Sequence, residues 1–389
     1  MEILELARSV RERFTAEFDR SPRLFRAPGR ANLIGEHTDY NDGFVLPFAI
    51  DRSTVVAAAA RDDGKLNVTA VDLDESFTID LGSPEVKRRG TWVDYVEGTA
   101  RSLSQENDIK GADLTFSSTV PIGGGLSSSA ALEVSIGFAL LSISGVAPDL
   151  EKLALAAQRA ENEFVGIRSG IMDQFAAAFG KKGNAMLLDC RSREIEYIPL
   201  ELGDAAIVVC DTKVKHELAS SAYNERRREC EEGVELMKKD LPEITALRDV
   251  SLDDFLRLES KLPEPVRSRC RHVITENGRT VEAADAFSHG RLEEAGKLMF
   301  ESHRSLKEDY EVSAPELDVL VDSARSVEGV YGARMTGGGF GGCTVNLLDR
   351  ASIDRFRETV TKHYEARFGF EPEIYLFQAA DGASELTVS

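Results

Sequence analysis

The sequence predicts a protein of helices and strands divided between two domains. Its 389 residues exceed what a single hydrophobic core usually serves. Strand-like segments with short Asp/Gly turns fill much of the first half, residues 216 to 328 are mostly helical by pattern, and strand-like segments return after them. Two glycine clusters, at 123–125 and at 337–342, mark an unusually permissive turn in each half.

Taken in order, Ile3, Ala7, Val10, Phe14 and Phe18 recur at helical spacing, so an amphipathic helix is expected over 3–18. Residues 23–50, RLFRAPGRANLIGEHTDYNDGFVLPFAI, are too broken by Pro28, Gly29, Gly35 and Gly43 to form one regular element. Segments 53–61, 65–73 and 76–81 read as short strands, and GADLTFSSTV (111–120) as the strand feeding a Gly-Ser loop. The apolar stretch ALEVSIGFALLSISG is long enough for a helix, and Pro148-Asp149 opens another that runs to about Phe164. Strands are expected at 185–190 and 194–200, and AAIVVCDTKV (205–214) begins the second domain. A glycine-rich connection then joins a helix ending near Val327 to a strand at 343–348, and EIYLFQAAD precedes a polar tail. No repeat or low-complexity linker separates the domains, which are placed at 1–203 and 204–389.

Composition narrows the function. With 42% hydrophobic and 29% charged residues the chain matches an ordinary soluble protein, and no apolar run is long enough to span a membrane. The opening MEILELARSVRERF lacks a basic segment followed by an apolar one, so no secretory signal is expected. Cysteines 190, 210, 230, 270 and 343 are scattered and unpaired in pattern, which reads as reduced thiols in a cytoplasmic protein without disulfide or zinc. The net charge of −20 argues against nucleic acid and anionic membrane as partners. A nucleotide bound here needs its cation locally, from a few basic groups and Mg²⁺.

Several constellations can carry chemistry. In PIGGGLSSSAAL (121–132) the glycines admit close backbone approach, serine is a favoured helix N-cap, and the helix start offers N–H groups to an anion. This makes a phosphate cradle, although the same residues suit a capped connection into a core helix. Neither a Walker loop nor a dinucleotide fingerprint is present. Arg30, Asn32, Glu36, His37 and Asp39 suit a neutral polyol whose hydroxyls each need a partner; a solvated, Asp/Asn-capped turn is the alternative. Glu161 lies beside the apolar stripe Leu153, Ala157, Ala160 and Phe164, where Mg²⁺ or solvent can partner it. Asp173, between Gly170-Ile171-Met172 and Gln174-Phe175, is either a partly buried functional carboxylate or a helix N-cap. The run 337–342 can pack backbone to backbone against the first glycine loop, or serve only as a connection.

Together RAPGRANLIGEHTDY (26–40), PIGGGLSSSAAL (121–132) and GGGFGG (337–342) resemble, in order and spacing, the three motifs of the GHMP small-molecule kinases. The first is similar to that family's galactose-phosphorylating branch. The resemblance implies an α+β fold: an N-terminal mixed-sheet domain bearing the phosphate loop, a C-terminal ferredoxin-like domain, and an active site in the cleft between them. It implies transfer of phosphoryl from ATP to the anomeric hydroxyl of α-D-galactose. By the same resemblance Gly123, Gly124, Gly125, Leu126, Ser127, Ser128 and Ser129 hold the ATP phosphates, and Ser129 and Glu161 bind Mg²⁺. The sugar sits against Glu36, His37, Thr38, Asp39, Gly170, Asp173 and Tyr223. Asp173 faces the reacting hydroxyl with Arg30 beside it. A monomer is expected, although neither the residues nor the resemblance fixes the oligomeric state. No motif fixes the adenine contacts. Alternatives are a sister kinase for N-acetylgalactosamine, arabinose or galacturonate, and a sensor that binds sugar and nucleotide without turnover.

Such chemistry rests on positioning and charge stabilisation. A neighbouring Arg30 keeps Asp173 a carboxylate and hence a weak base. Asp173 is therefore either a late proton acceptor or an anion that aims the hydroxyl.

Overall fold

Helix α1 (Ile3–Phe18) buries Leu6, Ala7, Val10 and Phe14 along one side, against Val55, Ala57 and Ala59 of the sheet beneath it. The structure, a computed structural model, describes residues 3–84, 88–215 and 219–388. Residues 23–32, expected to be irregular, instead form one ten-residue strand, β1 (Arg23–Asn32). Pro28 and Gly29 do not break it, because the pairing shifts register between Pro28 and Arg30 and absorbs them as a bulge. The chain from 33 to 43 is irregular as expected, with His37 in the left-handed region at φ 64°.

Strands β2 (Phe44–Val45), β3 (Pro47–Arg61), β4 (Lys65–Ala70) and β5 (Glu75–Asp80) follow. The segment read as a strand to residue 73 stops at Ala70 and turns through a 3₁₀ turn, Val71–Leu73. Helix α2 (Trp92–Ser104), which the pattern did not announce, leads to β6 (Gly111–Ser118) and, through the glycine loop, to α3 (Ser128–Ile143). Asp149 caps α4 (Leu150–Arg159), its carboxylate accepting from the Glu151 and Lys152 amides. A π-type turn (Ala160–Val165), α5 (Met172–Phe179), β7 (Asn184–Asp189) and β8 (Ile195–Pro199) complete this half.

The second half runs β9 (Ala205–Lys215), α6 (Ala219–Met237), α7 (Leu252–Leu258), α8 (Val266–Ser288), α9 (Leu292–Glu308), α10 (Pro315–Arg325), β10 (Val330–Thr336), β11 (Gly341–Asp349), α11 (Ile353–Phe368) and β12 (Glu373–Leu376). Its sheet, ordered β10-β11-β9-β12 and antiparallel throughout, has the β-α-β-β-α-β arrangement of ferredoxin-like folds. Two elements here escaped the pattern. Strand β10 precedes the second glycine cluster, which is therefore a hairpin tip and not a helix-to-strand connection. Helix α11 buries only Phe356, Val360 and Tyr364, an i, i+4, i+8 stripe among charges.

The polar tail contributes β13 (Ser384–Leu386), which pairs antiparallel with β1. The first sheet thus reads β13-β1-β3-β6-β4-β5, mixed because β4 and β6 run parallel. One apolar cluster joins the halves, with Leu33, Leu46 and Phe48 meeting Val209, Val345, Leu347 and Met299. That shared core fixes the cleft between the two glycine turns.

Helix α9 lies against β10 with no side chain between them at Gly296 and Gly332: a Cβ at Gly296 would stand 2.2 Å from the Tyr331 carbonyl oxygen. Gly278 of α8, by contrast, is exposed with nothing within 4 Å of a Cβ. Gly296→Ala is expected to destabilise by about 1–3 kcal/mol, and Gly278→Ala to stabilise by about 0.5–1 kcal/mol. Thermal melting of the two variants should move in opposite directions from the parent.

Candidate active site

The loop before α3 is built from left-handed backbone: Gly123 at φ 78°, Gly125 at 72° and Ser127 at 58°. Ser127 occupies the N-cap position but makes no side-chain cap, contrary to expectation. Its left-handed backbone carries the hydroxyl away from the helix amides, and it donates to Asp173 Oδ2 instead. The β10–β11 tip lies directly behind the loop. A Cβ at Gly337 would be 2.9 Å from the Gly125 carbonyl oxygen, and one at Gly342 would be 3.1 Å from that of Gly124. The two glycine clusters therefore do stack backbone on backbone, which no other residue type permits at positive φ.

The bulge in β1 presses against the same loop. Gly29 leaves no room for a Cβ beside the Leu126 carbonyl oxygen, to which the Arg30 amide donates at 3.1 Å. The Arg30 guanidinium is only 4% exposed. It donates from Nη1 to the Gly125 carbonyl at 2.6 Å and from Nε to Asp173 Oδ1 at 2.8 Å, and Nη2 lies 2.7 Å from the same carboxylate oxygen. Asp173 stands in the first turn of α5, where Ile171 is the N-cap residue. It is not a capping residue but a carboxylate gripped by Arg30 and Ser127.

Two cavities meet at Arg30, Asp173 and Gly338. The smaller, polar one is also lined by Glu36, His37, Asp39, Glu161, Ser169, Gly170 and Tyr223. Glu36 is buried against Arg334, which is fully buried too; it also accepts from Asn32 Nδ2 at 2.7 Å and from the Gly337 amide at 2.8 Å. Asn32 thus serves Glu36 and does not line the cavity. Burial lowers the His37 pKa well below its usual value, so the ring is neutral; Nδ1 pairs with Tyr40 Oη at 2.8 Å, and Nε2 completes no hydrogen bond. Burial, then the charge of Asp173, push Asp39 up to about 6. Gly170 is glycine for a steric reason: a Cβ there would be 2.1 Å from Asp39 Oδ2. Tyr223 from α6 packs its ring 5.4 Å from that of His37. Thr38 is not brought into the cavity; its buried hydroxyl lies 2.8 Å from the Gly35 carbonyl oxygen and 2.6 Å from that of Phe44.

The larger cavity is lined by Gly123, Gly125, Leu126, Ser127, Ser128 and Ser129, facing Leu73, Trp92, Tyr95 and Phe116. Gly124 points the other way, toward Asp211 and Cys343. Glu161 does not reach solvent as a helical glutamate would. It lies in the π-type turn Ala160–Val165 and is buried. Ser169 Oγ and Gln174 Nε2 both donate to its Oε2, while Oε1 lies 3.5 Å from Ser129 Oγ. Two oxygens on one octahedral Mg²⁺ sit about 3 Å apart, and Mg²⁺ commonly takes one or two protein oxygens plus phosphates. The pair fits that ion.

Arg334, Ser169, Gln174 and the aromatic wall were not singled out from the sequence. Trp92 is the single tryptophan, and Arg334 sits three residues before the second glycine cluster; no other signal marked them. Removing Arg334 leaves Glu36 buried and unpaired, so Arg334→Met should cost about 3–5 kcal/mol. The double variant Arg334→Met/Glu36→Gln should recover part of that loss in thermal melts.

Residues 12–60 match the galactokinase galactose-binding signature, residues 94–181 the N-terminal domain of GHMP kinases, and residues 283–366 their C-terminal domain. The chain is 45% identical over 379 residues to a galactokinase of Roseiflexus sp. (strain RS-1), covering 97% of this chain and 96% of that one. It is 46% identical over 373 residues to a galactokinase of Chloroflexus aggregans, covering 95% of each. Among solved structures, Lactococcus lactis galactokinase complexed with galactose superposes with a TM-score of 0.94 at 37% identity, covering 97% of this chain and 99% of that one. With its three motifs meeting at one cleft and relatives aligned over nearly the full length, the chain belongs to the galactokinase family of GHMP kinases.

Proposed function

We propose that this chain transfers the γ-phosphoryl group of ATP to the anomeric hydroxyl of α-D-galactose, giving α-D-galactose 1-phosphate and ADP. The observation that carries the reading is the junction: one carboxylate, Asp173, borders both the polar cavity and the glycine-loop cavity. A sugar in the first and a triphosphate along the second would bring their reacting groups to the same side chain.

In that reading the Gly123–Ser129 backbone and the start of α3 receive the phosphates. Ser129 and Glu161 would hold Mg²⁺, which when bound supplies positive charge against the triphosphate. Glu36, the neutral His37, Asp39 and the Gly337–Gly338 backbone hold the hexose, each hydroxyl meeting a fixed acceptor or donor. Arg30 acts in two ways at once. It holds Asp173 in place through Oδ1, and it presents a cation where the transferring group gathers charge. Arg30 and Ser127 both donate to Asp173 and fix its direction. Asp173 first aims the anomeric hydroxyl and takes the proton late, as the bond to phosphorus forms.

A monomer is the working unit in this reading. The described cysteines are all free and buried, in keeping with a reducing cytoplasmic setting. Residues 1–203 and 204–389 are its two domains, with β13 returning to the first.

Coupled ADP-release assays on galactose and its epimers, with and without Mg²⁺, test the activity; ADP release that ignores the sugar would overturn it. Asp173→Asn should lose about 10²- to 10⁴-fold in kcat, with galactose affinity held within about threefold, as read by calorimetry. Asp39 accepts from the sugar as a carboxylate and protonates near pH 6. The galactose KM should therefore rise as pH falls from about 7.5 to about 5. In Asp39→Asn the KM should be high throughout and nearly flat over that range.

A further inference from the structure

Gln174 is fully buried directly behind the catalytic junction, and no part of the reaction described above uses it. Its amide nitrogen donates at 3.0 Å to Glu133 Oε2 on α3 and at 3.0 Å to Glu161 Oε2 on the π-type turn. Both amide hydrogens are thereby spent on carboxylates. The reverse amide orientation would set the amide oxygen against Oε2 of Glu161, one acceptor facing another, so the nitrogen faces Glu161. Glu133 is itself fully buried on α3, in the second turn after Ser129. Burial, reinforced by the charge of Glu161, raises the Glu133 pKa well above its ordinary value, so the network does not hold two bare carboxylates side by side.

The geometry matters for Glu161. A carboxylate aims one oxygen at a cation only if the other is held. Ser169 Oγ and Gln174 Nε2 hold Oε2, and Oε1 is left facing Ser129 Oγ across 3.5 Å. Ser169 sits in the irregular chain before α5 and lines the sugar cavity. Gln174 is the anchor of the two that lies on a helix. It also follows Asp173 in the chain, so the residue that orients Glu161 shares its helical turn with the residue that meets the sugar hydroxyl.

We propose that Gln174 is a positioning residue for the divalent cation: by pinning Oε2 of Glu161 to α5 and to Glu133, it turns Oε1 toward the metal and ties that ligand to Asp173. The inference rests on Ser129 and Glu161 as the metal-binding pair. Loss of Gln174 leaves Glu161 Oε2 held by Ser169 alone, a residue of the irregular chain before α5. Partners that orient a metal ligand typically govern about 10- to 100-fold in metal affinity.

The test measures binding, not turnover. Mn²⁺ serves as the probe, its free concentration read by electron paramagnetic resonance, with the full chain and a non-hydrolysable ATP analogue present. Parent, Gln174→Met, Glu161→Gln and the double variant are compared, and galactose affinity is measured calorimetrically without nucleotide. Gln174→Met should weaken Mn²⁺ by about tenfold or more while galactose affinity stays within about twofold. The double variant should be no weaker than Glu161→Gln alone, because both changes act through one oxygen. Unchanged Mn²⁺ affinity in Gln174→Met alongside a loss in Glu161→Gln overturns this inference and leaves the metal pair standing. Parallel loss of Mn²⁺ and galactose overturns it as well, since that marks a general packing defect. If Glu161→Gln itself retains Mn²⁺, the metal pair fails and the inference with it. Should Gln174→Met not fold, Gln174→Asn keeps the amide but draws it back by one methylene, and the same loss is expected.

Discussion

The cleft depends on one buried cation. A guanidinium only 4% exposed must find partners for its donors, and Arg30 finds them on two sides of the site: the Gly125 carbonyl in the loop and the Asp173 carboxylate on α5. The β1 bulge exists at the place that lets Arg30 reach both, and Gly29 is what allows the bulge to touch the loop. Ser127 completes the ring by turning its hydroxyl to Asp173. Strand, loop and helix thus hold one another through a single charge. Each of the three lines the junction where the two cavities meet.

Around that cation the chain crowds several carboxylates, and each is accommodated differently. Glu36 has an arginine of its own, Arg334. Asp39 has no such pairing and carries a raised pKa of about 6. Glu161 is held by hydroxyl and amide donors and not by an ion pair. The uneven treatment gathers acid oxygens beside the glycine loop, with Oε1 of Glu161 facing Ser129 Oγ. In a chain of net charge −20 this is a local arrangement, not a property of the whole surface.

The glycine and serine runs, the polar 30–39 segment and the isolated Asp173 were all legible in the sequence, because each breaks a local rule that ordinary structure obeys. Their assembly was legible too, in the order and spacing of the three motifs. What was not legible followed from tertiary context. The β1 bulge hid a strand behind a proline and a glycine. A stripe of only Phe356, Val360 and Tyr364 hid α11 among charges. Periodicity set Glu161 beside the apolar stripe, but the π-type turn there and the Ser169 and Gln174 donors on its carboxylate had no local signal. Thr38 looked like a member of the sugar cluster by position alone, yet its hydroxyl closes the turn that the cluster stands on. Gln174 sat in an ordinary apolar helix, and only the two acids it touches reveal its place.

The pairing of Leu24 with Leu386 bears on how such a chain is made. The strand that carries Arg30 waits for a neighbour encoded more than three hundred residues later. At about 5–20 residues per second, ribosomal synthesis leaves that edge of the first sheet unpaired for roughly 20–70 s. During that interval the unsatisfied N–H and C=O groups of β1 invite pairing with any other strand in reach. Nascent chains crowded on one messenger are the nearest source of such strands, so yield on overexpression should be governed by this open margin and not by the stability of the finished fold.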